Sequence, residues 1–320
     1  MTTARFTVLL PVHRPPDLLP FAIDSVLAQQ GAELELFVVC DGTPPATVEC
    51  ANAFAARDPR VRVFAFEKGE RNGEAHRHTA LAEARAPFVA QIGDDDLWFP
   101  DYLATLGPLL DRVDFGNLLQ PDLSADGTIN LHSGDLADPA IRHKMLHEPF
   151  NFFGPSAAGY RLSAYRRLPV GWSPAPADVW SDLHMWRKFL ARDDLTFGTT
   201  FAIRLAKLAA YERVSTPLPE RAAELAATAK LFADPLGREA FSERAFKSMW
   251  RRLEDTCGAA SHALGVASQS LAERSIEIDA LRQREQALIQ ARGALRAELA
   301  DLVAQRAARA ARPASPATTS

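Results

Sequence analysis

The sequence has no stretch approaching the roughly 18 to 20 consecutive apolar residues that a spanning helix needs, so any membrane contact is expected to be peripheral. Cysteine is scarce. Cys40, Cys50 and Cys257 are odd in number, far apart and never in CxxC spacing, which offers neither a zinc site nor a redox pair and suits a reducing compartment. A basic excess is missing too: the formal net charge of -4 makes nucleic acid an unexpected main partner. The first residues show none of the charged, apolar and small-residue zones of a signal peptide. The expectation left by these absences is a cytoplasmic protein, at most peripheral at the inner face of a membrane.

What is present is ordinary for a globular chain, with 47% hydrophobic and 24% charged residues, and 320 residues exceed one typical domain. The first third alternates short β-branched or aromatic runs with longer helical patterns, the signature of a mostly parallel sheet with crossover helices. Strands are predicted over Phe6 to Val12, Leu36 to Cys40, Val61 to Phe66 and Phe88 to Ile92. After the first, Pro16 and Asp17 open a helix carrying Leu18, Leu19, Ala22, Val26 and Leu27. After the fourth, Gly93 and three aspartates precede Pro100, placed at the first turn of a helix reaching Leu110.

From Phe115 to about Val214 the pattern loosens into aromatic-rich loops, with Phe150, Phe152, Phe153, Tyr160, Trp172 and Trp180 between short helical pieces. Between Pro217 and about Gly258 it becomes helical and Ala-rich, with turn signals at Asp234-Pro235 and Gly237. A heptad seam follows: Leu264, Leu271, Ile278 and Leu299 share one register and Ala267, Leu281, Leu288, Leu295 and Leu302 the complementary one, with Arg274, Glu285 and Arg292 filling the remaining positions. Such a segment either pairs as a coiled coil, making a homo-oligomer, or stands as a long amphipathic helix. The expected organisation is a catalytic domain over 1–215, a helical extension over 216–262, a long amphipathic helix or coiled coil over 263–306, and a disordered tail over 307–320.

Three adjacent carboxylates, Asp94, Asp95 and Asp96, at the end of an apolar strand repel one another, and a hard cation such as Mn²⁺ or Mg²⁺ relieves that repulsion. The plain alternative is a solvated acidic turn before the helix near Pro100. Leu97-Trp98-Phe99-Pro100 immediately after the cluster argues for a buried strand mouth instead, where open α/β sheets bind ligands. The pairs His76/His78 and His143/His147 are rival metal candidates, but neither has the glutamate spacing of a His-Glu-x-x-His site.

In order along the chain, Val8-Leu9-Leu10-Pro11-Val12-His13-Arg14-Pro15, Ser25-Val26-Leu27-Ala28-Gln29, Val38-Val39-Cys40-Asp41-Gly42, Asn72-Gly73 with Ala75-His76-Arg77-His78, and Gly93-Asp94-Asp95-Asp96-Leu97-Trp98 resemble the motifs of family 2 glycosyltransferases. The resemblance spans roughly residues 6 to 215. It implies a GT-A nucleotide-sandwich fold, a nucleotide-sugar donor, a glycan or lipid-linked acceptor and inverting displacement. Donor contacts would come from Pro11, His13, Asp41, Arg77 and Asp94, with Asp41 at the base and Asp94 at the ribose, and the metal would sit on Asp95 and Asp96. The base that takes the acceptor's proton would be Asp182, with Asp178 the alternative, in a stretch that resembles the family's acidic residue at a helix start. An N-cap is the structural explanation for the same aspartate.

The sequence departs from the family pattern at Gly93, at His13-Arg14 and at His78, and it lacks the Gln-x-x-Arg-Trp signature of processive synthases, which favours addition of one or a few sugars. Two other readings remain open: a coiled-coil scaffold or pseudoenzyme with a nucleotide-binding domain, and a sugar nucleotidyltransferase. The latter's Gly-rich loop should follow the first strand, where His13-Arg14-Pro15-Pro16-Asp17 has no glycine.

Overall fold

The structure is a computed structural model that describes residues 4–310. Near-continuous apolar runs make the first strands, β1 (Phe6–Val12), β2 (Leu34–Asp41), β3 (Val61–Phe66) and β4 (Phe88–Gln91), which pair in parallel in the order β3-β2-β1-β4. Strands buried on both faces need such runs. Helices α1 (Leu19–Leu27), α2 (Pro45–Arg57) and α3 (Glu74–Leu81) make the crossovers. The four parallel strands are the predicted ones, to within two residues at either end. Helix α1 begins two residues beyond Asp17, because Pro16 to Leu19 forms a turn first and Pro20 sits in the first helical turn, where its missing amide is tolerated.

A two-residue strand, β5 (Leu97–Trp98), directly follows the aspartates, and α4 (Tyr102–Leu110) comes after it, so Pro100 lies before the helix and not in its first turn. The region read as loops and short helices carries five further strands: β6 (Phe115–Leu123), β7 (Ile129–His132), β8 (Ala158–Arg161), β9 (Phe197–Ile203) and β10 (Leu205–Leu208). Strand β8 lies antiparallel between β4 and β6, β10 runs parallel to β6, and β5 pairs antiparallel with β10, which closes the sheet into a ten-stranded mixed array. Helix α5 (Pro139–His147), α6 (Leu162–Arg166) and α7 (Ser181–Leu190) are the helical pieces among these strands. Several of the region's aromatic residues are core: Phe115 packs 5.0 Å from Trp186 and 4.9 Å from Phe189, and Phe152 and Phe153 are buried beside them, whereas Trp180 and Phe201 are exposed.

Helix α8 (Leu218–Ala233) and α9 (Pro235–Ala310) meet at Asp234, as the Asp-Pro pair signals. Gly237 and Gly258 do not interrupt α9. The chain divides into two compact units, 1–251 and 252–320. In the first, α8 and the beginning of α9 pack on the sheet through three aromatic rings: Phe99 meets Phe232 at 4.5 Å and Phe241 at 6.1 Å, and Phe232 meets Phe241 at 5.1 Å. In the second, every residue from Arg252 to Arg296 is exposed along the helix. The helix continues past residue 307, and residues 311–320 of the expected tail lie outside the described residues.

Because Phe232 is buried within the same core as β5 and β10, Phe232→Ala should destabilise the whole first unit, by about 3–5 kcal/mol for a buried ring. Urea denaturation followed by tryptophan fluorescence and by circular dichroism should give one coincident transition at a lower midpoint.

Candidate active site

Three parallel strands deliver their C-terminal ends to one cleft. Strand β1 brings Pro11 and Val12 and leads into His13 and Arg14, β2 ends on Asp41, and β4 leads through Ile92 and Gly93 to Asp94, Asp95 and Asp96. Across from them, the first turn of α7 contributes Ser181 and Asp182, and the turn before β8 contributes Pro155 and Ser156. The cleft holds about 260 Å³. Of the sequence-predicted site residues, Pro11, His13, Asp41, Arg77, Asp94, Asp95, Asp96 and Asp182 all line it, whereas Asp178 is exposed and does not.

At the far end, Asp41 is buried and its carboxylate accepts from Lys68 Nζ at 2.5 Å and from the Gly69 amide at 2.6 Å. Burial opposes its ionisation, yet the Lys68 ammonium and the Gly69 amide hold it below the usual carboxylate range. Gly73 is required here on two counts. Its φ is +66°, and a Cβ at that position would meet the Asp41 carboxylate at 2.5 Å. Gly73 opens α3, whose Glu74 is buried and accepts from Ser181 Oγ at 2.6 Å. That bond fixes the start of α7 against α3.

The N-cap of α7 is Trp180, which makes no side-chain cap hydrogen bond, and Asp182 sits one residue inside the helix. Asp182 accepts from the Leu183 amide at 2.7 Å, and burial pushes its carboxyl above the usual range. Arg77 is buried, donates to the Asn72 carbonyl at 2.9 Å, and lies 4.8 Å from the Trp172 ring.

The three aspartates are 3, 8 and 4% exposed in chain order, so the solvated-turn reading does not hold. Asp96 accepts from Ser156 Oγ and, at 3.1 Å, from the Leu208 amide, while the same Ser156 hydroxyl accepts from the Gly93 amide at 2.9 Å. Asp95 Oδ2 accepts from Arg14 Nη1 at 3.1 Å and from Arg221 Nη2 at 2.8 Å. Arg14 Nε also lies 3.1 Å from Asp94 Oδ2, an ion pair whose atoms are not aligned for a hydrogen bond, so that buried oxygen has no hydrogen-bond partner. Burial first, and then the Asp95 charge, push both Asp94 and Asp96 up to about 7. Lys207, on β10, is held above the ordinary lysine value by Asp96 and Asp122 although burial opposes it.

Among the described residues no three His, Cys, Asp or Glu side chains form a metal cage. The histidine pairs have other partners: His76 stacks 4.4 Å from Phe66, His78 Nδ1 lies 2.7 Å from Tyr165 Oη, and the His143 and His147 rings lie 4.4 Å apart, with no third ligand. A hard divalent cation that binds a nucleotide does not need a cage, because one or two carboxylates and the phosphates complete its shell. The all-carboxylate donor set fits such an ion, and among the described residues Asp95 accepts hydrogen bonds on Oδ2 alone, which leaves its Oδ1 for it. Asp96, with both oxygens already accepting from the protein, is the more committed of the three.

Sequence reading missed Arg221, Lys207, Ser156, Gln91, Asn72 and Ser181 as site residues. Gln91 is flanked by its motif, and Asn72 lies within one quoted for the resemblance; for Arg221, 126 positions from Asp95, no local signal exists. Because Arg14 and Arg221 have only 18% and 11% of their side chains exposed, Asp95→Ala should leave two facing guanidiniums without their acceptor and cost about 3–5 kcal/mol of stability. Adding Arg221→Ala should recover part of that loss, so the double variant should unfold at a higher urea concentration than Asp95→Ala alone.

Residues 7–168, just over half of the chain, match the glycosyl transferase family 2 model. The uncharacterized protein y4gI of Sinorhizobium fredii is 36% identical over 118 residues, which are 36% of this chain and 13% of that protein. The succinoglycan biosynthesis protein ExoO of Rhizobium meliloti is 33% identical over 108 residues, 34% of this chain and 29% of that protein. The chain thus spans less than a third of the length of either relative. Among solved structures, S. aureus TarS 1-349 is similar with a TM-score of 0.49 and 13% identity, over 77% of this chain and 72% of that one. By the family match over residues 7–168 and the sheet that carries it, this chain belongs to glycosyl transferase family 2 and has its GT-A architecture.

Proposed function

We propose that the protein transfers a sugar from a nucleotide-diphosphate sugar to a hydroxyl of a glycan or lipid-linked acceptor, with inversion at the anomeric carbon and without processive extension. The observation that carries this reading is the convergence of Asp41, Asp94, Asp95 and Asp182 on a single cleft at the carboxyl ends of β1, β2 and β4. In it, Pro11, His13, Asp41, Arg77 and Asp94 make the donor contacts, with Pro11, His13 and Asp41 at the base and Asp94 at the ribose. A divalent cation, Mn²⁺ or Mg²⁺, would be held by Asp95 with Asp96 beside it and supplies charge that offsets the departing nucleotide diphosphate. Asp182 takes the proton from the acceptor hydroxyl as the new glycosidic bond forms and the bond to the diphosphate oxygen breaks. Trp180, exposed at the mouth of the same helix, offers an aromatic face to an acceptor sugar. The name of the succinoglycan biosynthesis relative supports polysaccharide assembly as the setting.

A second reading has one observation in its favour. Arg14 and Arg221 already sit on Asp95, and two guanidiniums that turn from it to a diphosphate can offset its charge without a cation.

A panel of UDP-, GDP- and dTDP-sugars, assayed for turnover and binding with Mn²⁺ or with EDTA, tests the proposal on the wild type, Asp95→Asn and Asp182→Asn. Turnover of one donor that requires Mn²⁺ and is lost in Asp95→Asn is the expected result. Turnover unaffected by EDTA selects the guanidinium reading, and no donor binding across the panel selects a scaffold. Asp182→Asn should retain donor affinity while kcat for transfer falls by roughly 10²–10⁴, the usual contribution of a general base.

The pH dependence has a definite sign. Asp182 works ionised, and burial raises its carboxyl, so kcat should fall as pH is lowered through a limb displaced above the ordinary carboxylate range. That limb should vanish from the residual activity of Asp182→Asn.

A further inference from the structure

Over 264–295, the helix α9 carries an apolar seam with nothing on it: Leu264, Leu271, Ile278, Leu281, Leu288 and Leu295 are 50–72% exposed. They recur at the a and d positions of one heptad register. A lone solvated helix gains little from such residues, since helical stability in proteins comes mostly from packing an apolar face. Three charged residues share the seam, Arg274 at d and Glu285 and Arg292 at a, and none of them makes an ion pair among the described residues. These three decide what the seam can pair with.

In a parallel pair of identical chains in register, each residue faces its own copy. Arg274 would meet Arg274, Glu285 would meet Glu285 and Arg292 would meet Arg292, three layers of like charge in one interface. In an antiparallel pair each a position faces a d position. The register that sets Ile278 against the partner's Leu281 also sets Leu271 against the partner's Leu288 and Leu264 against the partner's Leu295. It brings Glu285 opposite the partner's Arg274 twice, once on either side of the dyad, and leaves Arg292 beside the small Ala267 of the partner subunit, where its long stem can reach water. Sliding one heptad either way loses this: one direction sets Arg292 against the partner's Arg274, the other sets Ile278 against it.

We propose that residues 264–295 bind a second copy of this chain as an antiparallel two-stranded coiled coil, with its dyad between Asp279 and Ala280 and a Glu285–Arg274 pair on each side. The arrangement is self-complementary and closes as a dimer. It uses all six exposed apolar residues of the seam and pairs charges that have no partner within their own helix. It does not depend on the catalytic reading.

Sedimentation equilibrium of the full chain tests the association, and spin-label distances test its direction. In a Cys50→Ser, Cys257→Ser background, labels at Gln269→Cys lie away from the seam. At 1.5 Å per residue they should be about 30 Å apart along an antiparallel pair, and within about 20 Å in a parallel one, whose helix axes are 8–10 Å apart. Arg274→Glu and Glu285→Arg should each weaken dimerisation at least tenfold, the least expected when an opposite-charge contact becomes a like-charge one, and the double variant should restore it to within about threefold. A monomer at all concentrations, a short label distance, or single variants that the double variant does not rescue would each overturn the proposal.

Discussion

Everything around the cleft is arranged by the need to hold three adjacent, buried carboxylates at the end of one strand. All three are buried, and at Asp94 and Asp96 desolvation penalises ionisation and the neighbouring Asp95 charge adds to the cost. The protein answers with cations and donors drawn from distant elements. Arg14 arrives from the loop after β1 and Arg221 from α8. Ser156 comes from the turn before β8, and the Leu208 amide from β10. These four contributors are spread from residue 14 to residue 221, so the cluster is neutralised only when distant parts of the first unit have come together. The helices after residue 216 are part of this arrangement, because one of the two guanidiniums on Asp95 belongs to them.

The same logic joins the two sides of the cleft. Strands β1, β2 and β4 set the side bearing Asp41 and the acidic cluster, and α7 sets the side bearing Asp182, yet neither side stands alone. Glu74, buried at the start of α3, accepts from Ser181 at the start of α7, and Arg77, one turn further along α3, packs on Trp172 in the segment leading to α7. A shift of α7 would therefore be felt at Glu74 and Arg77 before it reached the acidic cluster. Asp182 at the first turn of α7 gains a favourable helix dipole and a backbone donor, which counter the burial that raises its carboxyl.

The first half of the fold was readable from sequence because parallel strands buried on both faces must be apolar runs, and turn residues such as Asp41-Gly42 bound them. The second half was not, for a physical reason. Strand β6 contains Gly116, Asn117, Gln120, Pro121 and Asp122, and β9 contains Gly198, Thr199 and Thr200, so neither presents an apolar run or a clean alternation. Their polar residues are satisfied by tertiary partners instead: Thr199 donates to Asn117 at 2.7 Å, Gln120 to Asp122 at 2.8 Å, and Gln120 accepts from the Gly154 amide. Pairing of that kind is invisible to periodicity. Site residues showed the same division. Asp41 and the acidic cluster announce themselves through the apolar strands that precede them, while Arg221 and Lys207 are unremarkable charges on a helix and a strand until the fold brings them to the carboxylates.

The electrostatic balance also bears on how a donor enters. Arg14 and Arg221 pair with Asp95, Arg14 also faces Asp94, and Lys207 is shared between Asp96 and Asp122, so the cluster as it stands has no surplus positive charge. The nucleotide diphosphate of the proposed donor would bring at least two further negative charges into the same low-dielectric space, where their cost is much greater than in water. Two positive charges must come with it or be freed for it. In the proposed reading a divalent cation held by Asp95 and Asp96 would provide them at once, and its charge would favour the ionised form of the carboxylates. Without a cation, Arg14 and Arg221 would have to leave Asp95 for the diphosphate, and Asp95 would lose both of its charged partners at the same moment. The first route preserves the contacts that hold α8 to the acidic cluster and the second breaks one of them, so the response of the Arg221 contact to donor binding distinguishes the two routes independently of turnover.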